Sequence, residues 1–251
     1  MRHERGFSLA EIAVVMVIVG LLIGGLLAPL SAQMEQRNFA DTQKRIEYAN
    51  ELLLGFAIAN GRLPCPASSS SNGDESPTGG IGACTNNYDG YLPAKTLGMQ
   101  PTDSSGYALD AYNNRIRYAL SKTVTPGSCT GSPPFSSSTN LKANGLQCLP
   151  ADLLVCGSSQ ASGFSSTSCG TAINSLVNTN TVVAIVFSMG KNAATSDATR
   201  TDELANTDAN ATFVYHTPAP TGATGGEYDD QMVWISAGLL YGRMVSAGVL
   251  P

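Results

Sequence analysis

Gly6-Phe7-Ser8-Leu9-Ala10-Glu11 opens a stretch that runs on from Ile12 to Leu30 as Ile-Ala-Val-Val-Met-Val-Ile-Val-Gly-Leu-Leu-Ile-Gly-Gly-Leu-Leu-Ala-Pro-Leu, with no further charge. Phe7 to Leu30 is 24 residues. At a rise of about 1.5 Å per residue, a helix of that length crosses a hydrocarbon core of about 30 Å. The flank before it, Met1-Arg2-His3-Glu4-Arg5, is basic and short. By the positive-inside tendency such a flank stays cytoplasmic and the rest of the chain is directed outward. Within the span stands one carboxylate, Glu11. An acid near the bilayer centre costs about 2.5 kcal/mol or more, so it is expected to serve a function and to seek a partner, here the N-terminus of another copy. A cleaved secretory signal is the bland alternative, because Ala28-Pro29-Leu30-Ser31-Ala32-Gln33 is loosely like a small-residue cleavage site. Its apolar region normally holds about 7 to 15 residues and no acid near its start, which argues against it.

The helical pattern continues beyond the span. Phe39, Ile46 and Leu53 recur at heptad spacing, with Thr42, Ala49 and Phe56 interleaved, a stripe expected to pack on the chain's own sheet. Arg37, Asp41, Lys44, Arg45, Glu47, Asn50 and Glu51 occupy the other surface, and Asp41 with Arg45 has the spacing of an i,i+4 ion pair. Asn60-Gly61, reinforced by Pro64 and Pro66, reads as the stop. Residues 31–60 therefore extend residues 7–30 into one long helix.

After it come about 190 residues, enough for one domain with its own core. Charged residues make up 13% and the net charge is −5, with no basic cluster, which argues against generic nucleic-acid binding. All six cysteines, Cys65, Cys84, Cys129, Cys148, Cys156 and Cys169, lie beyond the span on the oxidising side, so disulfides are expected. Six cysteines allow fifteen connectivities. Sequential pairing is the expectation, since each pair would close a short loop rich in Gly, Ser and Pro and poor in apolar residues. The rival reading, zinc, lacks any C-x-x-C, and His216 is the lone histidine outside the basic flank. Residues 67–87, 125–138 and 157–170 read as surface insertions.

Between the insertions lie strand-like segments: Asn114 to Ser121, Thr181 to Ser188, Ala211 to His216 and Gln231 to Ser236, rich in β-branched and aromatic residues. Thr-Val-Val-Ala-Ile-Val-Phe-Ser over 181–188 is apolar on both faces, so it should be the central strand, covered on one side by the long helix. Ala237 to Leu250 has Leu239, Leu240, Met244 and Val245 near helical spacing and reads as a closing helix. The fold class is α+β, with a long N-terminal helix packed on a C-terminal antiparallel sheet.

The segment around Gly6 and Glu11 resembles the signal of type IV pilins and type II secretion pseudopilins, and the fold it implies is pilin-like. In that family a prepilin peptidase cuts after the glycine, here Gly6, and the new N-terminus, here Phe7, is N-methylated. The glutamate at the fifth mature position corresponds to Glu11, whose carboxylate would neutralise the α-amino cation of a neighbouring Phe7 and set subunit register. The family's helix-loosening glycine and proline appear as Gly20 and Pro29, the proline one position later than usual. Further in, Asp110-Ala111-Tyr112-Asn113-Asn114-Arg115-Ile116-Arg117-Tyr118 is similar to the D-x-W-G-N-x-x-x-Y stretch of major pseudopilins, with Tyr112 for tryptophan and Asn113 for glycine. Phe187-Ser188-Met189-Gly190-Lys191-Asn192 is similar to their S-x-G-x-[DN] turn, and Tyr228-Asp229-Asp230 with Val233-Trp234 to their acidic C-terminal stretch.

The resemblance implies a leader at 1–6, a membrane and assembly half of the helix at 7–30, its soluble half at 31–60 and a periplasmic head at 61–251. It implies a single-pass protein of the bacterial inner membrane whose partners are other pilin-type subunits, prepilin peptidase and an inner-membrane assembly platform, and which enters a filament after assembly. No cofactor is expected beyond a structural calcium that the resemblance implies, with a solvated acidic loop as the alternative. Of Asp197, Asp202, Glu203, Asp208, Asp229 and Asp230, the centre would be Asp229 and Asp230, although no D-x-[DN]-x-[DN]-G ladder is present. Catalysis is not expected: His216 sits in a strand-like run, and neither G-x-S-x-G nor a phosphate-binding glycine loop occurs. The reading is thus a structural subunit of a type II secretion pseudopilus or a type IV pilus. The alternatives are a minor type IV pilin with an adhesive or priming role, and a membrane-anchored ligand- or DNA-binding module.

Overall fold

The computed structural model describes residues 8–79, 82–125, 127, 135–194 and 197–250, without the side chains of 25–29. Two compact units form, Met1–Ala40 and Asp41–Pro251. The elements in chain order are α1 (Leu9–Asn60), β1 (Gly90–Tyr91), α2 (Ala94–Leu97), β2 (Arg117–Leu120), α3 (Ser138–Asn144), β3 (Leu154–Cys156), β4 (Phe164–Ser165), β5 (Ser168–Cys169), β6 (Val182–Ser188), α4 (Thr201–Leu204), β7 (Thr212–Val214), β8 (Gln231–Ser236) and α5 (Ala237–Ser246). This is the expected α+β architecture.

Helix α1 is continuous through Gly20 and Pro29. It stops where Gly61 adopts φ +68° and donates its N–H to Ala57 O at 2.8 Å, a left-handed glycine cap followed by Pro64. In the first unit the described apolar side chains of residues 9–34 are exposed, among them Leu21 at 72% and Met16 at 68%. Among the described residues no helix is long and apolar enough to cross a membrane. Phe7 and the side chains of 25–29, part of the expected span, lie outside them.

In the second unit the buried stripe of α1 is Thr42, Ile46, Ala49, Leu53 and Ala57, each fully buried. Phe39 and Phe56, expected on it, are only half-buried, because the true helical period of about 3.6 drifts away from a strict heptad. Arg45 does not pair with Asp41 but donates to the backbone oxygens of Leu109 and Asp110 at 2.9 and 2.6 Å, while Asp41 meets Lys44 at 3.4 Å. Carbonyls that burial has cut off from water gain more from a guanidinium than an exposed carboxylate does.

The main sheet has the order β1-β2-β6-β8, antiparallel throughout. All seven residues of β6 are buried, as a strand with two covered faces requires. Val183, Ala184 and Val186 join Ile46 and Leu53 of α1 and Leu240 and Met244 of α5 in one core. Val182, Ile185 and Phe187 face a second core with Val155 and Phe213, whose ring meets Phe187 edge-on at 5.6 Å between centroids. A register shift between Val182 and Ala184 accommodates the change of face. The second cover is a separate parallel pair, β3 with β7, so Ala211 to His216 yields a strand outside the main sheet. Cys65–Cys84 and Cys156–Cys169 are disulfides, and Cys148 is also disulfide-bonded. Its expected partner, Cys129, lies outside the described residues.

Candidate functional site

At the N-terminus of α1, Ser8 and Glu11 form a reciprocal capping box. The Ser8 N–H donates to Glu11 Oε2 at 2.8 Å and the Glu11 N–H to Ser8 Oγ at 3.2 Å. S-x-x-E spacing was the available signal for it. The same carboxylate invoked for a neighbouring subunit therefore first satisfies its own helix start. Gly6 and Phe7 lie outside the described residues.

In the head, the three internal stretches, far apart in sequence, meet at one end of β6. Asp110, fully buried, accepts the N–H groups of Tyr112 and Asn114, each at 2.8 Å, and the Ser188 hydroxyl. Asn113, standing where the resemblance has glycine, sits at φ +67°, a conformation asparagine tolerates. Asn114 Nδ2 then reaches Gly190 O at 2.6 Å. Gly190, at φ +63°, has no room for a Cβ, which would lie 1.9 Å from Asp229 Oδ1, so the turn after β6 presses directly on the acidic stretch.

There Asp229 and Asp230 are joined by Glu203 of α4, and oxygens of all three lie within 4.8 Å of one another. Glu203 is largely engaged: Arg200 Nη1 donates to Oε2 at 2.7 Å, and Asn192 Nδ2 and the Asp229 N–H donate to Oε1 at 3.0 and 2.9 Å. Asp230 Oδ2 accepts from the buried Asn206 amide at 2.7 Å, and Asp229 Oδ2 from the Lys191 N–H at 3.2 Å. The other carboxylate oxygen of each, Asp229 Oδ1 and Asp230 Oδ1, is buried without a hydrogen-bond partner among the described residues. Burial, added to by the Glu203 charge, pushes the Asp229 carboxyl up to about 7. Burial likewise drives Asp230 well above the carboxylate range. A cavity of about 70 Å³ lies beside Arg200, Glu203 and Asp230. Two unsatisfied hard oxygen donors in an acidic pocket fit a divalent cation such as calcium, which would supply the missing positive charge.

The remaining acids do not join this cluster. Asp197 caps its own turn through Thr199, and Asp208 accepts from the Asn210 side chain. Asp202 accepts from Ser159 N and Oγ, each at 2.6 Å, and meets His216 Nε2 at 3.2 Å. The other ring nitrogen of His216 sits 2.7 Å from Thr217 O.

Residues 1–27 match the family model described as the prokaryotic N-terminal methylation motif, so the chain carries the prepilin-type cleavage and methylation signal. No curated protein and no solved structure matches the chain.

Proposed function

We propose that the chain is a structural subunit of a type II secretion pseudopilus or type IV pilus. It would be cleaved after Gly6, methylated on Phe7 and assembled through its N-terminal helix, with the head on the periplasmic side of the inner membrane. The observation that carries this is the methylation motif over residues 1–27 followed by the continuous, apolar and largely bare first part of α1. A helix face of that kind gains by packing against like helices of other subunits. The work is mechanical, each subunit exchanging lipid for neighbouring helices, with Glu11 pairing to the next subunit's N-terminal amine.

Within this class, the meeting of Asp110, Asn114, Gly190 and Asp229 favours the secretion pseudopilus, since these positions belong to the stretches that resemble major pseudopilins. The cation pocket of Glu203, Asp229 and Asp230 is read as a calcium site on the same ground. A minor pilin with an adhesive or priming role is the second reading, favoured by the disulfide-closed loops of the head.

Intact-mass analysis after expression with and without prepilin peptidase tests the proposal. Loss of Met1 to Gly6 with one added methyl is expected. An uncut chain, or a cut after Ala32, refutes it.

A further inference from the structure

A cleft of about 720 Å³ opens in the head between the loop closed by Cys156–Cys169 and the segment around Asp152, a size typical of small-molecule sites. Among the described residues lining it there is no lysine, arginine or histidine, and Asp152 is the single carboxylate. That carboxylate is already committed. Its Oδ2 accepts from Tyr88 Oη, Lys122 N and Thr123 N at 2.8, 2.7 and 3.0 Å, and its Oδ1 from Ser121 Oγ and the Leu153 N–H. Its lone pairs are taken up by these neutral donors, and the lining holds no cationic side chain for a phosphate or a sulfate.

What the cleft does present is neutral and hydroxylic. Thr167, Thr171 and Thr179 line it, are exposed, and have side-chain hydroxyls with no hydrogen-bond partner among the described residues. Leu154, Ala151 and Ala211 add an apolar surface. The wall is stiff: besides the disulfide, Asn174 Nδ2 donates to Ser158 O and Cys169 O at 2.9 and 2.8 Å, and Asn174 Oδ1 accepts the Ser158 N–H at 2.9 Å. On the rim, Ala209 holds φ +62°, a left-handed conformation that a residue with a Cβ keeps only where its surroundings impose it, as they do at ligand sites.

From these features we infer that the cleft binds a short neutral glycan. Sugar hydroxyls exchange hydrogen bonds with the threonine hydroxyls, while the C–H faces of the rings lie on the leucine and alanine methyls. A preformed wall reduces the ordering entropy that binding would otherwise cost. This inference stands apart from filament assembly, because no residue of the cleft belongs to the N-terminal helix.

The test is saturation-transfer NMR on the full chain in amine-oxide micelles, which contain no sugar, with maltotriose, cellotriose and tri-N-acetylchitotriose as probes and the tripeptide Gly-Ser-Thr as comparator. Transfer to at least one trisaccharide is expected. Thr171→Trp, a substitution at an exposed lining position, should weaken it about tenfold or more with the melting temperature unchanged. Ile173→Ser, at a neighbouring 93% exposed position outside the cleft, should leave it intact. Transfer to none of the sugars, transfer to the tripeptide alone, or equal transfer in Thr171→Trp overturns the inference.

Discussion

Raising the pH from 5 to 8.5 should destabilise the head through His216. Its Nε2 faces Asp202 Oδ2 at 3.2 Å and its Nδ1 faces Thr217 O at 2.7 Å, and both oxygens can only accept. Only the imidazolium has a proton for each, so the ring clasps the loop after β7 to α4 as a cation. The hydrogen bond to Asp202, opposed by burial, raises the His216 pKa above its ordinary 6.5. Its stabilisation is therefore complete below 6.5 and lost as the pH rises through the raised folded value. Burial pushes Asp202 up, but the hydrogen bonds from His216, Ser159 and Ser158 outweigh it and hold the carboxyl below its ordinary 3.8, so its contribution is present above 3.8 and fades as the pH falls. The clasp is thus strongest between the two. A hydrogen bond to a charged group contributes about 1.5–3 kcal/mol, and with the ring 24% exposed the lower end applies. For a head of about 190 residues that is a fall of roughly 3–6 °C in melting temperature. The assay is calorimetry of wild type and His216→Gln across the pH series. The variant is expected to lack this component of the decline. Parallel profiles for the two proteins would refute the imidazolium clasp.

Three other outcomes are expected. Replacing Cys156 and Cys169 together by serine, which opens a loop of sequence separation 13, should lower stability by about 3 kcal/mol, read as a shift of the urea midpoint. Leu53→Ala, at a fully buried position between α1 and the sheet, should lower it by about 2–5 kcal/mol, whereas Tyr48→Ala, 52% exposed on the same helix, should change it by less than about 0.5 kcal/mol. Calcium at a hundred times its dissociation constant should raise stability by about 2.7 kcal/mol, and chelation or Asp230→Asn should abolish that gain; a melting temperature indifferent to calcium in the wild type would remove the cation reading.

Much of the chain could be read without coordinates because its signals are local. A glycine, an acid and an uninterrupted apolar run announce the long helix and its processing signal, Asn60-Gly61 marks its end, and the run over 181–188 announces a strand buried on both faces. The stripe of α1 was legible at Thr42, Ile46, Ala49 and Leu53 and displaced at its ends, where Phe39 and Phe56 are half-buried and Ala57 is fully buried. Arg45 was paired with a neighbour on its own helix, since periodicity knows nothing of two carbonyls more than sixty residues away.

Long-range pairing lay beyond it. Leu154-Val155-Cys156 is too short a run to declare a strand, and only its parallel partner β7 makes it one and so covers the second face of β6. Glu203 was one acid among several until α4 carried it to Asp229 and Asp230, and the same holds for His216 and Asp202, fourteen residues apart in sequence. Helix periodicity, caps and membrane-length apolarity are properties of contiguous residues, so the sequence by itself determined the long helix, its signal and the fold class. Charge compensation, burial and the walls of a cleft depend on which distant segments close loops against one another, and those only the tertiary structure decided.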